Sequence, residues 1–408
     1  MKSVVVVSGN NDLTYSIAKI AEGLTDYLLA HGYEAFGGYA RNSLPRANSF
    51  LFGGKVASWW HHLLFRFTGL DGSYSRMATK RLLREMERRK VDTVYLMMAH
   101  SWFINETMFF DYIKRKHLGL VYVMLDEYCY LGKCHFSQGC TAYLQECRSC
   151  PQVKKYPQSF SKQSGHKIYL RKKANYAGLE RSVFVGPQMT LDRACKSPLL
   201  EGKKMRLADE SIDVSVYRPR DTKRLREELG ISAEKIVCMC VAVYDGAHHE
   251  RKGVPYYIEL ARRFENDERY VFVQVAYVAD YPGGLPKNYI PIGFVRDKEK
   301  VAEYLSLGDL FIFPSLADTM PNTCIEALAC GTPLLCWRIY GNETMAPEEL
   351  GTFVTPKSLD EMESVVRNLQ PKTQEMIDKC RAYAVERYDN QRYFEKLVAY
   401  GEELGIES

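Results

Sequence analysis

Several features that would place a chain in a special structural class are missing here. Among the 408 residues there is no run of about 18 apolar residues, so hydropathy predicts no membrane-spanning helix. No internal repeat or low-complexity segment is present, which excludes solenoids and disordered arrays. The net charge of +5 is too small over this length to argue for a nucleic-acid partner.

What the chain does contain is the composition of an ordinary globular protein. Its hydrophobic fraction of 46% is ample for packed cores, and its length fits about two domains. The stretch Met1–Ser8 is predicted to be a first strand and not a signal peptide, so we expect a cytoplasmic protein. Two basic runs, Lys80–Lys90 and Lys167–Lys173, are either solvated helix faces or contacts with anionic lipid headgroups at the inner membrane face.

Apolar strand-like runs alternate with helical periodicity, which predicts an α/β protein with parallel sheets wrapped by helices. The predicted strands are Val4–Val7, Thr93–Ala99, Val121–Leu125, Ser182–Val185, Ile236–Val243, Tyr270–Val275, Leu310–Phe313 and Pro333–Trp337. A tight turn at Gly9 and Asn10 follows the first strand, and doubly wound folds bind ligands at such turns. Gly9 and Asn10 are therefore candidate nucleotide contacts.

The most informative stretch is Phe311–Cys336, which predicts a strand, a polar turn, a short helix closed by Gly331 and a new strand. It carries two carboxylates, Asp318 and Glu326, separated by seven residues. They offer acceptors for sugar or ribose hydroxyls beside a helix amino end that attracts phosphate. The arrangement suits a nucleotide-sugar, with Asn322 and Thr323 of that helix end as binding residues. The alternative is a capped helix in which Glu326 only favours the positive end.

This stretch resembles the retaining glycosyltransferases of family 4, which have the two-domain GT-B architecture. Their motif has two glutamates with seven residues between them, and Glu326–Pro333 matches its second half. Asp318 replaces the first glutamate, which we interpret as a change in donor sugar fit. The resemblance implies two Rossmann-like doubly wound domains that face a cleft.

The same resemblance implies the domain boundaries. We expect an acceptor-binding domain over residues 1–215, with a cysteine-rich loop at 129–151, and a nucleotide-sugar-binding domain over 216–389. Residues 390–408 are expected to form a helix that crosses back onto the first domain. The linker of the family is matched by Ile212–Pro219.

On the donor side, the resemblance assigns the diphosphate to a lysine that precedes a glycine, and Lys252 matches it. The upstream arginine of the family has no clear counterpart, so Arg251 is the proposed substitute, with His248 and His249 as alternatives. Fixed positive charges would stabilise the charge that grows on the diphosphate leaving group. Alternatively, Arg251 and Lys252 are only the exposed start of a helix.

A second nucleotide contact is predicted at the end of a later strand. The turn of Gly293, Phe294 and Val295 resembles the family's approach of the backbone to the nucleotide base, and Gly293 would allow close contact.

In the first half, the region from about Arg66 to Pro157 resembles a bacterial subgroup that acts in capsule, exopolysaccharide and O-antigen assembly. His100 ends a predicted strand, where an imidazole could donate to a substrate oxygen or could simply be a core residue. Leu125 stands where the subgroup commonly has histidine, so Asp126 becomes the candidate group on the acceptor side.

Four cysteines in this region, Cys134, Cys140, Cys147 and Cys150, end in a Cys-x-x-Cys pair. They could bind a structural zinc ion, with His135 able to replace one ligand, or remain reduced thiols. Disulfides are less expected, because cytosolic thiols stay reduced.

The resemblance implies transfer of a sugar from a UDP- or GDP-type donor to a hydroxyl of a glycan or lipid-linked oligosaccharide, without a catalytic metal. Catalysis is expected from Lys252, Arg251, Asp318 and Glu326, with His100 and Asp126 on the acceptor side. Two rivals are a nucleotide-sugar epimerase of GT-B fold and a degenerate relative that binds a glycan or a partner transferase.

Overall fold

The computed structural model describes residues 2–11, 16–41, 46–244, 250–278, 281–318, 320–339 and 342–406. Two compact units divide the chain. The first unit contains residues 1–210 together with 391–408, and the second contains residues 211–390. Each unit is built around one parallel sheet, so the predicted class, two Rossmann-like α/β domains, is confirmed.

The first unit has a seven-stranded sheet in the order β3-β2-β1-β4-β5-β6-β7, with parallel pairing throughout the described strands. Its strands are β1 (Ser3–Asn10), β2 (Glu34–Arg41), β3 (Ser49–Leu51), β4 (Thr93–Leu96), β5 (Gly119–Val123), β6 (Ser182–Gly186) and β7 (Lys204–Leu207). Its helices are α1 (Ser16–Ala30), α2 (Lys55–Thr68), α3 (Arg76–Arg88), α4 (Glu106–Lys116), α5 (Ser164–Tyr176) and α6 (Gln188–Ala194).

The second unit has a six-stranded parallel sheet in the order β10-β9-β8-β11-β12-β13. Its strands are β8 (Ile236–Val241), β9 (Tyr270–Val275), β10 (Tyr289–Gly293), β11 (Leu310–Phe313), β12 (Leu334–Trp337) and β13 (Gly351–Val354). Its helices are α7 (Lys223–Glu228), α8 (Val254–Arg263), α9 (Lys298–Leu307), α10 (Asn322–Ala329), α11 (Leu359–Arg367) and α12 (Gln374–Tyr388).

The last helix, α13 (Asn390–Ile406), packs within the first unit. Phe394 and Leu397 share a buried cluster with Leu24 and Leu28 of α1. The two helices approach closely at Gly23, where a Cβ atom would lie 2.7 Å from the Phe394 ring. Bringing α13 back to this face buries an apolar stripe that a chain ending at α12 would leave exposed.

Across the described parts of the chain, none of the helices has the length and apolar character needed to cross a membrane. In the second basic run, Lys167 and Lys173 are exposed, whereas the two cations between them turn inward. Lys172 on α5 is fully buried, and Arg171 pairs with the buried Glu106 at 2.9 Å. These two cations therefore serve the interior of the first unit and cannot reach lipid headgroups.

Candidate active site

Two cations and a carboxylate meet at the carboxyl edge of the second unit's sheet. Lys252 Nζ lies 2.8 Å from Asp318 Oδ2, and Arg251 Nη1 lies 3.4 Å from the same oxygen. Arg251 also donates a 2.6 Å hydrogen bond to the carbonyl oxygen of Ala317. Both cations keep about a third of their side-chain surface exposed. The structure therefore brings together three of the residues singled out from the sequence.

The turn that carries these cations is fixed to the end of β11. The Leu316 amide and the Ser315 hydroxyl both donate to the carbonyl oxygen of Arg251, at 2.7 Å and 3.0 Å. Gly253 has a left-handed backbone with φ 68°, and a Cβ atom there would lie 1.8 Å from the Pro314 carbonyl oxygen. Only glycine fits such a contact. Gly253 therefore fixes the position of the two cations that precede it.

Glu326 has a different set of contacts from Asp318. It is buried on α10, where it accepts a hydrogen bond from the hydroxyl of Tyr217. Burial raises the pKa of Tyr217 far above its ordinary value, and the charge and hydrogen bond of Glu326 add to this effect. The phenol therefore stays protonated and fixes the carboxylate. Tyr217 was missed by the sequence analysis, because nothing local in the stretch Ile212–Pro219 indicates a partner on α10.

The amino end of α10 offers groups that suit an anion. The helix begins at Asn322 after Pro321, and no side chain caps it. Within the described chain, Asn322 Oδ1 is buried without a hydrogen-bond partner. Thr323 follows, half-buried. Unsatisfied amides and the positive end of the helix dipole favour a phosphate or a ligand hydroxyl at this position.

The turn after β10 is open to a ligand. Gly293 has φ 80°, and no atom lies within 4 Å of a Cβ placed there. Phe294 is 62% exposed, whereas Val295 packs against the apolar core of the unit. An exposed aromatic ring beside an open glycine suits stacking against a planar base. Like Lys252, these residues belong to the second unit, whereas His248 and His249 lie outside the described residues.

In the first unit, His100 links two other polar side chains at the end of β4. Its Nε2 contacts Asp126 Oδ2, and its Nδ1 lies 2.8 Å from Ser101 Oγ. The Asp126 carboxylate accepts a hydrogen bond from Nε2, and Nδ1 faces the Ser101 hydroxyl. Burial acts to raise the pKa of Asp126, but the charge and hydrogen bond of His100 outweigh it and lower that pKa. The result is a chain from Asp126 through His100 to Ser101.

His135 completes this cluster and was considered from sequence only as a substitute for a cysteine. Its ring stacks on His100 with centroids 3.7 Å apart. Burial and repulsion by His100 lower the pKa of His135 well below its ordinary value, so the ring is neutral. Its Nε2 has no hydrogen-bond partner in the described structure. One ligand atom from each of His100, Asp126 and His135 lies within 4.8 Å of the others.

A concave cavity of about 470 Å³ lies beside this cluster in the first unit, a volume that fits a sugar-sized ligand. Ser101 lines it, so the end of the Asp126–His100–Ser101 chain is accessible. Ser101 and Trp102 both have left-handed backbones, φ 80° and 60°. Such conformations are costly for non-glycine residues and recur where a site must be held in one geometry.

The walls of this cavity combine positive charge with aromatic surface. Arg41 and Lys55 provide the positive charge, His62 provides an imidazole whose pKa is lowered by burial and by Arg66, and Trp59 and Trp102 provide indole rings. A sugar that carries an anionic group matches these walls, because indoles pack on sugar faces and basic groups bind anions.

The predicted turn residues Gly9 and Asn10 belong to the same neighbourhood. Asn10 lines the cavity. A Cβ atom at Gly9 would lie 3.4 Å from Arg41 Nη2 and 3.5 Å from the Phe103 ring, which shows how closely these side chains approach the backbone. The two residues therefore lie in the first unit, whereas the cations at 251 and 252 lie in the second.

The four cysteines of the predicted metal site also come together. Cys134, Cys140, Cys147 and Cys150 are half-buried and line one small cavity in the first unit. All are free thiols, like the other cysteines of the structure.

In the comparison with known protein families, a segment of the second unit matches a family model. Residues 239–370 match the family model described as glycosyl transferases group 1. This segment contains Arg251, Lys252, Asp318 and Glu326.

Two curated bacterial relatives are similar over part of the chain. TuaC of Bacillus subtilis (strain 168), named as a teichuronic acid biosynthesis glycosyltransferase, is 27% identical over 49% of this chain and 46% of its own length. WcaC of Escherichia coli (strain K12), named as a colanic acid biosynthesis glycosyl transferase, is 23% identical over 59% of this chain and 58% of its own length. The chain thus spans about half the length of the curated relatives it matches.

Among solved structures, the HepE protein of Anabaena in complex with UDP matches 98% of this chain and 99% of its own, with a TM-score of 0.64 and 15% identity. At this identity the likeness concerns the fold. Together with the two Rossmann-like units, it confirms the GT-B fold that the sequence predicted.

Proposed function

We propose that this protein is a retaining glycosyltransferase of family 4 that moves a sugar from a nucleoside diphosphate donor to a hydroxyl of a glycan or lipid-linked oligosaccharide. The observation that carries the proposal is the placement of Lys252 and Arg251 around Asp318 at the carboxyl edge of the second sheet. Parallel α/β sheets bind ligands at this edge. Two cations beside an uncapped helix end suit a diphosphate.

Lys252 and Arg251 would stabilise the charge that develops on the diphosphate as the bond to the sugar breaks. This contribution raises the rate because it is larger in the transition state than in the bound donor. In a retaining reaction, the leaving diphosphate takes the proton of the attacking hydroxyl on the same face of the sugar. Asp318, held by the two cations, would accept a hydrogen bond from the donor sugar. Glu326, oriented by Tyr217, would accept from a ribose hydroxyl.

The donor is proposed to be a UDP-sugar rather than a GDP-sugar, since the HepE structure with the same fold holds UDP. Phe294 and the open backbone of Gly293 are the proposed base contact. No role for a catalytic metal is proposed, because the two cations already supply positive charge to the diphosphate.

The acceptor is proposed to bind in the cavity that Ser101 lines. Its basic and aromatic walls favour an acceptor that carries an anionic group next to the reacting sugar. In this cavity, Ser101 and His100 would orient the attacking hydroxyl, while Asp126 holds the imidazole in the required tautomer. The names of TuaC and WcaC support a role in surface polysaccharide biosynthesis.

We also propose peripheral attachment to the inner membrane face through α2 and α3. Trp59 and Trp60 are more than half exposed, and Phe67 is 64% exposed, although all three are large apolar side chains. Arg76 and Lys80 on α3 are exposed as well. Exposed aromatic and basic side chains on helices are typical of proteins that lie on anionic lipid surfaces.

The decisive experiment is a thermal-shift screen against UDP, GDP, ADP and TDP, followed by transfer assays with the sugar of the stabilising nucleotide. A ligand at a hundredfold excess over its Kd stabilises the folded state by about 2.7 kcal/mol, which is a visible shift. UDP should stabilise the wild type but not Lys252→Ala, and the product should keep the anomeric configuration of the donor. A C2-epimerised sugar nucleotide formed without acceptor would support the epimerase, and the absence of any nucleotide effect would support a degenerate binding protein.

A further inference from the structure

The cysteine cluster of the first unit lies outside the proposed catalytic machinery. Cys134, Cys140, Cys147 and Cys150 all line one cavity of about 20 Å³, close to the volume that one water molecule or ion occupies. They come from three turns of the segment between β5 and α5, so their convergence is a product of folding. No carboxylate or imidazole lines this cavity, so the cysteine sulfurs are its candidate metal ligands.

The backbone around the cavity is shaped to bring the cysteines together. A Cβ atom at Gly132 would lie 2.5 Å from the Gly165 carbonyl oxygen and 3.0 Å from Cys147 Sγ, so only glycine allows this approach. Glu146 and Cys147 have left-handed backbones with φ 60° and 53°, which turn the Cys147 thiol inward. Such strain is retained where the surrounding structure requires it.

Two buried lysines stand beside the cluster and donate to backbone carbonyl oxygens. Lys172 is fully buried and donates to the carbonyl oxygens of Leu131 at 3.1 Å and Gly132 at 2.9 Å. Lys133 is 1% exposed and donates to the carbonyl oxygen of Pro157 at 2.7 Å. In the part of the chain that the structure describes, neither ammonium has a carboxylate within ion-pair distance.

Burying two positive charges against neutral carbonyls is unfavourable unless negative charge lies nearby. Glu106 and Asp126 supply part of it to Lys172, whereas the charge next to Lys133 comes from cysteines. The Lys133 ammonium interacts electrostatically with Cys134 and Cys150, and the Lys172 ammonium interacts with Cys147. Four thiolates around one divalent cation carry a net charge of minus two, which would balance the two lysines.

We propose that Cys134, Cys140, Cys147 and Cys150 bind one structural Zn²⁺ ion as thiolates. Binding forms four Zn–S bonds and releases the thiol protons to solvent, with no change in oxidation state. In the described structure no three of the four sulfur atoms lie within 4.8 Å of one another. Binding would therefore require the sulfurs to move closer together. This metal site would form whether or not the protein transfers sugars.

The ion would fix more than the loop itself. His135 follows Cys134 directly, its carbonyl oxygen accepts a 3.0 Å hydrogen bond from the Glu127 amide, and its ring stacks on His100. A metal that holds Cys134 therefore holds the wall of the histidine cluster next to the 470 Å³ cavity. The ion would position the histidine cluster through Cys134 and His135, and it would not contact a substrate.

The test measures metal content of the full-length protein purified under reducing conditions from cells grown with added zinc. Elemental analysis should find about one zinc per chain in the wild type and in Cys195→Ser, whose exposed cysteine lies outside the loop. Cys147→Ser and Cys150→Ser should lose at least about fivefold of that zinc, in line with loss of a thiolate ligand. Chelation should lower the melting temperature of the wild type, and added zinc should restore it.

A second measurement keeps the test decisive if the serine variants do not fold. Wild-type protein stripped of metal is titrated with Co²⁺, and the visible absorption of a tetrahedral cobalt thiolate should appear at one equivalent. The proposal is overturned if the wild type contains no zinc, shows no cobalt band and keeps its melting temperature with chelator. A disulfide among these cysteines in thiol-mapping mass spectrometry would overturn it as well.

Discussion

Lys252 Nζ and Asp318 Oδ2 form a 2.8 Å ion pair at the edge of the second sheet, and Arg251 reaches the same oxygen. The carboxylate thus neutralises part of the positive charge that we assign to the donor diphosphate. A diphosphate that enters this site competes with Asp318 for the two cations. Under the proposed function, Asp318 would then be partly released toward the sugar in the bound state.

This competition predicts opposite effects of Asp318→Asn on binding and on transfer. Partly exposed ion pairs are worth about 0.2 to 1 kcal/mol, so removing the competing charge should tighten UDP binding by about 1.4- to fivefold. Transfer should become slower, because the acceptor for the donor sugar is lost. Calorimetric titration with UDP and initial rates measure the two quantities. Asp378→Asn, an exposed aspartate on α12, is the control, and weaker UDP binding in Asp318→Asn would contradict the competition.

Lys252→Ala removes the cation closest to Asp318. Loss of one charge-stabilising donor at an active site costs about 100- to 1,000-fold in kcat, and we expect a loss of this size in sugar transfer. Lys379→Ala on α12 is the matched control, since that lysine is exposed and forms an ion pair with Glu375 on the same helix. Unchanged turnover in Lys252→Ala would remove this lysine from the catalytic machinery.

Ser101→Ala interrupts the Asp126–His100–Ser101 chain while leaving the imidazole in place. Because the serine hydroxyl lines the acceptor cavity, the variant should raise KM for the acceptor and lower kcat, with KM for the nucleotide sugar unchanged. Steady-state kinetics with each substrate varied in turn separates these effects. Ser58→Ala serves as a comparison, because Ser58 lines the same cavity without contact to His100. A change confined to the donor KM would place Ser101 outside the acceptor site.

The pair of Asp126 and His100 predicts how stability depends on pH. The pKa of Asp126 is lowered in the folded protein, so the carboxylate contributes stability above the ordinary value of 3.8 and loses it as pH falls through the lower folded value. The free energy of unfolding of the wild type should exceed that of Asp126→Asn near neutral pH, and the difference should shrink as the pH falls through the lowered folded pKa. Urea unfolding across this range measures the difference. A gap that widens with acidity would reverse the sign assigned to this carboxyl group.

Membrane attachment through α2 predicts a loss of binding in Trp59→Ala/Trp60→Ala. Flotation with vesicles that contain anionic phospholipid should recover the wild type but several-fold less of the variant, because exposed indoles anchor at the lipid interface. High salt should weaken binding by screening the basic residues of α3. Tyr277→Ala removes a comparably exposed aromatic side chain from the second unit and should float like the wild type. Equal flotation of all three proteins would exclude α2 as the anchor.

Local sequence signals were sufficient for much of the architecture. Tyr270–Val275 and Leu310–Phe313 were predicted with the bounds that the structure has, because buried parallel strands are continuous apolar runs between turn residues. β2 was not identified, since Gly37 and Gly38 interrupt its apolar run. The carboxyl ends predicted for β4 and β5 were too long, because the chain leaves the sheet after Leu96 and Val123 and enters the turns that carry His100 and Asp126.

The sequence by itself determined which chemical groups this protein has and in what order: a parallel α/β chain with Lys252, Asp318 and Glu326 in one motif series and four cysteines in one segment. Apolar periodicity and glycine positions are local properties, so they can be recognised in the linear sequence. Only the tertiary structure decided that Asp318 pairs with Lys252 whereas Glu326 pairs with Tyr217. Packing likewise buried Lys172 beside the cysteines, although the sequence presents it in a basic run. Such pairings join residues far apart in the chain, so they depend on how whole elements pack and leave no local pattern to read.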